Sequence, residues 1–297
     1  MIAAGSLDAT GAAGNRIDFV LGAGDDKAVI SGSLKAPTVL FDGGDGNDAL
    51  NLFSVPVNAD GMVALPPLPL SDLDAAGFDF GPLTITASTL LEVRLGDGDD
   101  TLGVSGTVAA PQVTIDGGKG RDSVMTYSNL SVTAASRLDI MLGADDDILL
   151  ASGSFSAPAV TIDGQDGADQ ITTLNGLSLT AATTAEIRLG AGDDVLAVAG
   201  SFVTPRLFID AGAGSDRLAT QSGFKASGPA GNSIMLALGD GADSLTASGS
   251  YTAATITVDA GKDDDQLTAQ SQLRLQAATR LDLLLGDGAD ALTLSGR

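Results

Sequence analysis

Two short phrases recur along the chain at fixed spacing, and that regularity leaves few folds open. Leu-Gly-x-Gly-x-Asp, or a close variant, begins at Leu21, Leu95, Leu142, Leu189, Leu238 and Leu285. Asp-Gly-Gly-x-Gly-x-Asp, again with variants, begins at Asp42, Asp116, Asp163, Asp210 and Asp259. The first phrase leads the second by 21 residues each time, and the return takes 26 to 28 residues after all but the first of them. Turn residues held at constant offsets over such a period mark a solenoid whose coils are each one supersecondary unit. The expected fold is all-β: a parallel β-helix, or β-solenoid, of about eleven coils in which 21-residue coils alternate with coils of 26–28.

The residues between loops support strands and not helices. After Gly96-Asp97-Gly98-Asp99-Asp100 comes Thr101-Leu102-Gly103-Val104, apolar at alternate positions as in a half-buried strand. Ser105-Gly106 breaks it, and the same small pair follows as Ser31-Gly32, Ser152-Gly153, Ala199-Gly200, Ser248-Gly249 and Ser295-Gly296. Pro37, Pro111, Pro158 and Pro205 each stand five residues before a loop Asp, where proline suits the start of a strand. The longer halves, such as Asp122 to Met141, contain three short β runs, so about three strands are expected per coil. Coils stacked at about 4.8 Å would make a rod on the order of 50 Å long.

Charge is concentrated where the phrases are. The net charge is −23, from 38 acidic and 15 basic residues. Only Glu92 and Glu186 are Glu, and 28 of the 36 Asp lie inside the phrases. A surface tuned only for solubility would mix and scatter its acids; short carboxylates beside glycines suit an oxygen-ligand cation site. Such acidity argues against nucleic acid and anionic membrane as partners. The absence of Cys excludes disulfides and thiolate metal sites. No apolar run reaches the roughly 18 residues of a membrane span. Residues 1–15 have neither a basic start nor an apolar core, so no signal peptide is read there.

Aligned on their last Asp, the loops become Gly-x-Gly-x-Asp-x-apolar. The closing residues are Asp26, Asp48, Asp100, Asp122, Asp147, Asp169, Asp194, Asp216, Asp243, Asp265 and Asp290. Two positions on stands a large apolar residue in every loop but one, where it is Ala28, and this anchor directs the Asp. Glycines allow positive φ and let carbonyl oxygens face the loop centre. Carbonyls and one or two carboxylates per turn, repeated on the next coil, form an oxygen cage suited to Ca²⁺. The alternative is that Gly-Asp is simply good turn chemistry. That accounts for one Asp per turn but not for two or three. Carboxylates ~5 Å apart repel by roughly 0.8 kcal/mol per pair even in water.

The phrase Gly43-Gly44-Asp45-Gly46-Asn47-Asp48-Ala49-Leu50 resembles the repeat of the RTX, or haemolysin-type, calcium-binding proteins, Gly-Gly-x-Gly-x-Asp-x-apolar-x. The resemblance implies turns that hold Ca²⁺ between coils through the Asp carboxylate and loop carbonyls. Carried over by position, the ligands are the eleven closing Asp residues. The chain departs from that family in having one loop per 21–28 residues in place of tandem nonapeptides, which implies a wider coil with an RTX-like corner. Leu replaces the first Gly in the first phrase, Ala211 and Ala260 replace it in the last two second phrases, and Asp145 and Asp263 replace the later Gly.

The whole of 1–297 reads as a single solenoid with one insertion. Asp42 to Leu95 exceeds the normal return by 27 residues, placed at about 53–81 and rich in Pro and Phe. Two readings stand: a recognition or subunit-contact arm, or a flap folded over the solenoid's own side. Residues 1–20 match the tail of a long half-repeat, Asn15-Arg16-Ile17-Asp18-Phe19 resembling Ser136-Arg137-Leu138-Asp139-Ile140. Neither end shows a polar cap, so a longer array or head-to-tail self-association is expected. Catalysis is not expected: there is no His or Cys, and Asp pairs such as Asp99-Asp100 recur in many coils where a catalytic dyad would occur once. The leading expectation is an extracellular, calcium-stabilised structural protein of a surface layer, adhesin stalk or filament. The runner-up is a β-helix module binding polysaccharide or ice. Flat Thr arrays would favour it, but Thr84-Ile85-Thr86 and Thr255-Ile256-Thr257 stand isolated in the sequence.

Overall fold

A computed structural model describes residues 2–10, 14–52, 83–221, 223–227 and 231–295. The insertion read at 53–81 lies outside these residues. The described chain is all-β and forms one sheet of twenty-four strands, each paired in parallel with strands of the neighbouring coils. It is the expected parallel β-solenoid, and its eleven loops close ten full turns.

A short coil shows how the residues make the path. Thr101–Val104 follows the loop, Ser105-Gly106 turns the corner with Gly106 at φ 95, and Thr107–Lys119 carries the chain to the next loop. That last strand is two strands joined by a bulge, because its register shifts between Ala110 and Gln112. Pro111 sits at the shift, as Pro37 and Pro158 do in their coils, and Pro205 separates Ser201–Thr204 from Arg206–Ala213. The prolines therefore mark the bend between the second and third strands, where the third begins. A bulge leaves one residue out of the ladder, so the missing N–H costs no pairing there.

Register also gives the coil lengths. Val104 faces Thr126, Thr107 faces Ser131, and Gln112 faces Arg137. The long coil thus takes two extra residues at its first corner and one at its second. Successive closing Asp residues are 22 and 25 positions apart, with one step of 27 and one of 52 that contains the insertion. The spacings of 21 and 26–28 are off by one in opposite senses, because Leu21 stacks on Gly43 and not on Asp42.

Inward positions form columns along the rod. Leu34, Ile85, Val108, Val132, Phe155, Leu179, Phe202, Phe224 and Tyr251 are in register and buried. Phe224 stacks on Tyr251 at 4.8 Å between ring centroids and meets Phe202 edge-on at 5.4 Å. Each buried aliphatic side chain contributes about 1.5–3 kcal/mol against exposure, and here every coil shares its column with the coils on either side.

Facing outward on the same strand is a feature hidden in the linear text. Ser33, Thr84, Thr107, Ser131, Ser154, Ser178 and Ser201 form one column, and Thr86, Ala109, Thr133, Ser156 and Thr180 form the column beside it. Thr84-Ile85-Thr86 is therefore laddered, contrary to the sequence expectation. Thr255-Ile256-Thr257 is not: its outward residues lie between Ser233 and Met235 on one coil and Arg280 and Asp282 on the other. The hydroxyl ladder escapes a fixed-offset search because the step between its members alternates with coil length.

Candidate cation site along the loop edge

All eleven closing Asp residues stand in one column. From Asp48 onward, the Oδ1 atom of each accepts a hydrogen bond from the backbone N–H of the closing Asp one coil earlier. The run is unbroken from Asp26 N–H to Asp48, through Asp100, Asp122, Asp147, Asp169, Asp194, Asp216, Asp243 and Asp265, to Asp290, at 2.6–3.1 Å. The loop N–H has no partner within its own turn, and the carboxylate of the next coil supplies one. Asp48 to Asp265 are only 1–3 % exposed.

The second oxygen of these carboxyls is the anomaly. Oδ2 of Asp48, Asp100, Asp122, Asp147, Asp169, Asp194, Asp216, Asp243 and Asp265 is buried without a hydrogen-bond partner. Burying an ionised carboxylate costs several kcal/mol even after relaxation. Nine such charges would exceed the ~5–15 kcal/mol by which an ordinary domain is stable, so the column must be neutralised by protons or by cations. Burial accordingly pushes Asp122 up to about 8 and Asp147, Asp194 and Asp243 to about 7. Asp100, Asp169 and Asp216 rise to about 6, and Asp48 and Asp265 are also raised. In each the bond from the preceding coil's N–H opposes the rise.

The neighbouring acids have separate duties that the sequence did not disclose. Asp25, Asp99, Asp146, Asp193 and Asp264, just before the closing residue, are exposed, and Oδ1 of each caps a loop N–H of the following coil at 2.8–3.1 Å. This outer ladder runs in the opposite sense to the inner one. It provides hydrogen-bonded work for the second Asp of a turn, which turn chemistry alone had not explained. Asp99 and Asp100 consequently point to opposite sides of the loop, one capping Arg121 N–H and the other Asp48 N–H. The first Asp of the second phrase belongs to the third strand: Asp42 and Asp116 flank Arg94, and Asp163 and Asp210 flank Arg188. The register rule that places them was not visible without the coil alignment.

Glycine is favoured at two loop positions because carbonyls of the previous coil come close. A Cβ on Gly118 would lie 2.0 Å from Gly96 O, and one on Gly98 2.2 Å from Gly46 O. Three non-glycines nonetheless adopt positive φ there: Asp145 at 82°, Gln165 at 77° and Asp263 at 74°. Asp145 and Asp263 are legible as substitutions in the sequence, and Gln165 is a third, which alignment on Asp169 places opposite Gly143. Left-handed backbone costs an L-residue roughly 1–2 kcal/mol. Gln165→Gly is therefore expected to stabilise the rod by about 1 kcal/mol in denaturant melts. Gly118→Ala should destabilise it by more than that, and equal melting midpoints for the two variants would contradict the steric account.

Among the described residues, no three acidic side chains converge on one point. A cation on this edge would therefore draw most of its oxygens from loop carbonyls, as hard cations accept. The orphaned Oδ2 atoms fit that donor set. Compared with protein-family models, curated proteins and solved structures, the chain matches none of them.

Proposed function

We propose that this chain is a calcium-stabilised structural rod of an extracellular surface, serving as part of a surface layer, adhesin stalk or filament. The column of buried Asp carboxylates with an unpartnered Oδ2 carries the reading. Bound Ca²⁺ would supply the positive charge that this column lacks, while the Asp Oδ1 atoms keep the coils in register. The resemblance of the loops to RTX turns points the same way. Calcium is abundant outside cells, where modules with dissociation constants near 10⁻⁴–10⁻³ M suffice, and a chain without Cys needs another clamp between its coils. Self-association is part of the proposal, since structural rods work as arrays.

Electron microscopy and sedimentation in millimolar Ca²⁺ and in chelator test it. Elongated, ordered assemblies are expected with calcium and not with chelator; the same shape and assembly state in both would remove the reading. A second reading, a module that binds neutral polysaccharide or ice, is favoured by one observation, the uncharged Ser/Thr ladder from Thr84 to Ser201. Glycan-array or ice-affinity signal lost in Thr133→Glu would support it over the first.

A further inference from the structure

The column that opens the loops alternates large and small: Leu21, Gly43, Leu95, Gly117, Leu142, Gly164, Leu189, Ala211, Leu238, Ala260, Leu285. At the three glycines, two oxygens crowd the place a Cβ would take. At Gly43 they are Leu95 O at 2.1 Å and Asp48 Oδ2 at 2.7 Å. At Gly117 they are Leu142 O at 1.8 Å and Asp122 Oδ2 at 2.7 Å, and at Gly164 Leu189 O at 2.2 Å and Asp169 Oδ2 at 2.3 Å. The carboxylate oxygen is in each case the one without a partner. A carbonyl of one coil and an orphaned carboxylate oxygen of the coil before it thus meet beside a bare Cα.

The two alanine positions are built differently. Ala211 and Ala260 are fully buried, so a methyl group takes up space at this point of the loop. The backbone of the following coil responds. Thr84–Asp97, Ser131–Ala144 and Ser178–Ala191, which follow the glycines, run on as strands through the loop. Ser233–Ala237 and Arg274–Leu284, which follow the alanines, stop just before Leu238 and Leu285.

We infer that the cation sites are not distributed one per junction but confined to the three glycine junctions: Asp48 with Leu95 O, Asp122 with Leu142 O, and Asp169 with Leu189 O. The Ala211 and Ala260 junctions hold no cation. This inference rests on the calcium reading above and narrows it. The ligand class is a hard divalent cation, because the donors brought together at each junction are a carboxylate oxygen and a carbonyl oxygen.

Calorimetric titration of the full chain with Ca²⁺, paired with equilibrium dialysis, tests the count. Saturation is expected at three ions per chain, rising to five in the Ala211→Gly/Ala260→Gly double variant and falling to two in Gly117→Ala. The added Cβ of Gly117→Ala would lie 1.8 Å from Leu142 O, so that variant is open to local unfolding. The alanine-to-glycine variant therefore carries the decision, with its strand circular dichroism confirming the fold. Ten ions per chain, or a count unchanged by the alanine-to-glycine substitutions, overturns the inference while calcium binding stands. No bound calcium at all overturns the calcium reading and this inference together.

Discussion

Chelating divalent cations at pH 7.5 is expected to lower the melting temperature by at least about 15 °C and to weaken the strand signal in circular dichroism. A ligand at a hundred times its dissociation constant stabilises the state it binds by about 2.7 kcal/mol per site. Three such sites give roughly 8 kcal/mol, and each kcal/mol moves the midpoint by about 2–4 °C in chains of this order. The effect is large because the charges it neutralises are buried: Asp48, Asp122 and Asp169 are 1–3 % exposed and their Oδ2 atoms have no other partner. The metal-free chain at neutral pH should be expanded, since ionised carboxylates resist being stacked out of water. An identical spectrum and melting temperature in excess chelator and in calcium would sink the idea.

In chelator, stability is expected to fall as the pH rises from about 4 to about 8. The sign follows from the direction of the shifts. Burial raises Asp122 to about 8, Asp147, Asp194 and Asp243 to about 7, and Asp100, Asp169 and Asp216 to about 6. Across that window the folded chain binds more protons than the unfolded one, so raising the pH favours unfolding. The stability supplied by the buried protons is complete below the unfolded carboxylate range near 4 and is gone above about 8. Each proton released contributes about 1.4 kcal/mol per pH unit, or about 3–5 °C. Calcium should flatten the profile by favouring the ionised form. Asp122→Asn separates the parts. The amide oxygen still accepts the Asp100 N–H but carries no charge, so the variant should melt higher than the native chain at pH 8 in chelator and gain less from calcium. Asp122→Ala should melt lower under both conditions, because it strands a buried N–H at a cost of about 1–3 kcal/mol. A metal-free melting temperature that rises from pH 4 to 8 would reverse the assignment.

Much of the architecture was readable without coordinates. The repeat of Leu-Gly-x-Gly-x-Asp implied one loop per coil, and alternation in segments such as Thr101-Leu102-Gly103-Val104 implied strands. The closing Asp residues were identified as one row, and their burial follows from the apolar residue two positions later, such as Leu102 after Asp100, which pins the strand inward. The coil lengths differ by one residue from the phrase spacings because the two phrases begin at different points of the same loop. That Pro37, Pro111 and Pro158 occupy bulges is not legible in the sequence, since a linear text does not show where a ladder loses register.

What the sequence determines by itself is the period, and with it the solenoid. Glycines at loop positions, apolar residues at alternate strand positions and Asp at each turn are local requirements, met within a few residues and hence visible in order. The tertiary structure decided which oxygens are satisfied. Oδ1 of Asp122 meets an N–H 22 residues earlier, Oδ2 meets nothing, and Leu142 O approaches Gly117 from the coil that follows. It also decided that Thr84 and Ser131 share one face and that the two Asp of a turn point apart. These relations join atoms on different coils, and two residues at each first corner and one at each second change the offset between them. Only the stacked backbone, which sets each coil against the next by its hydrogen bonds, brings them together.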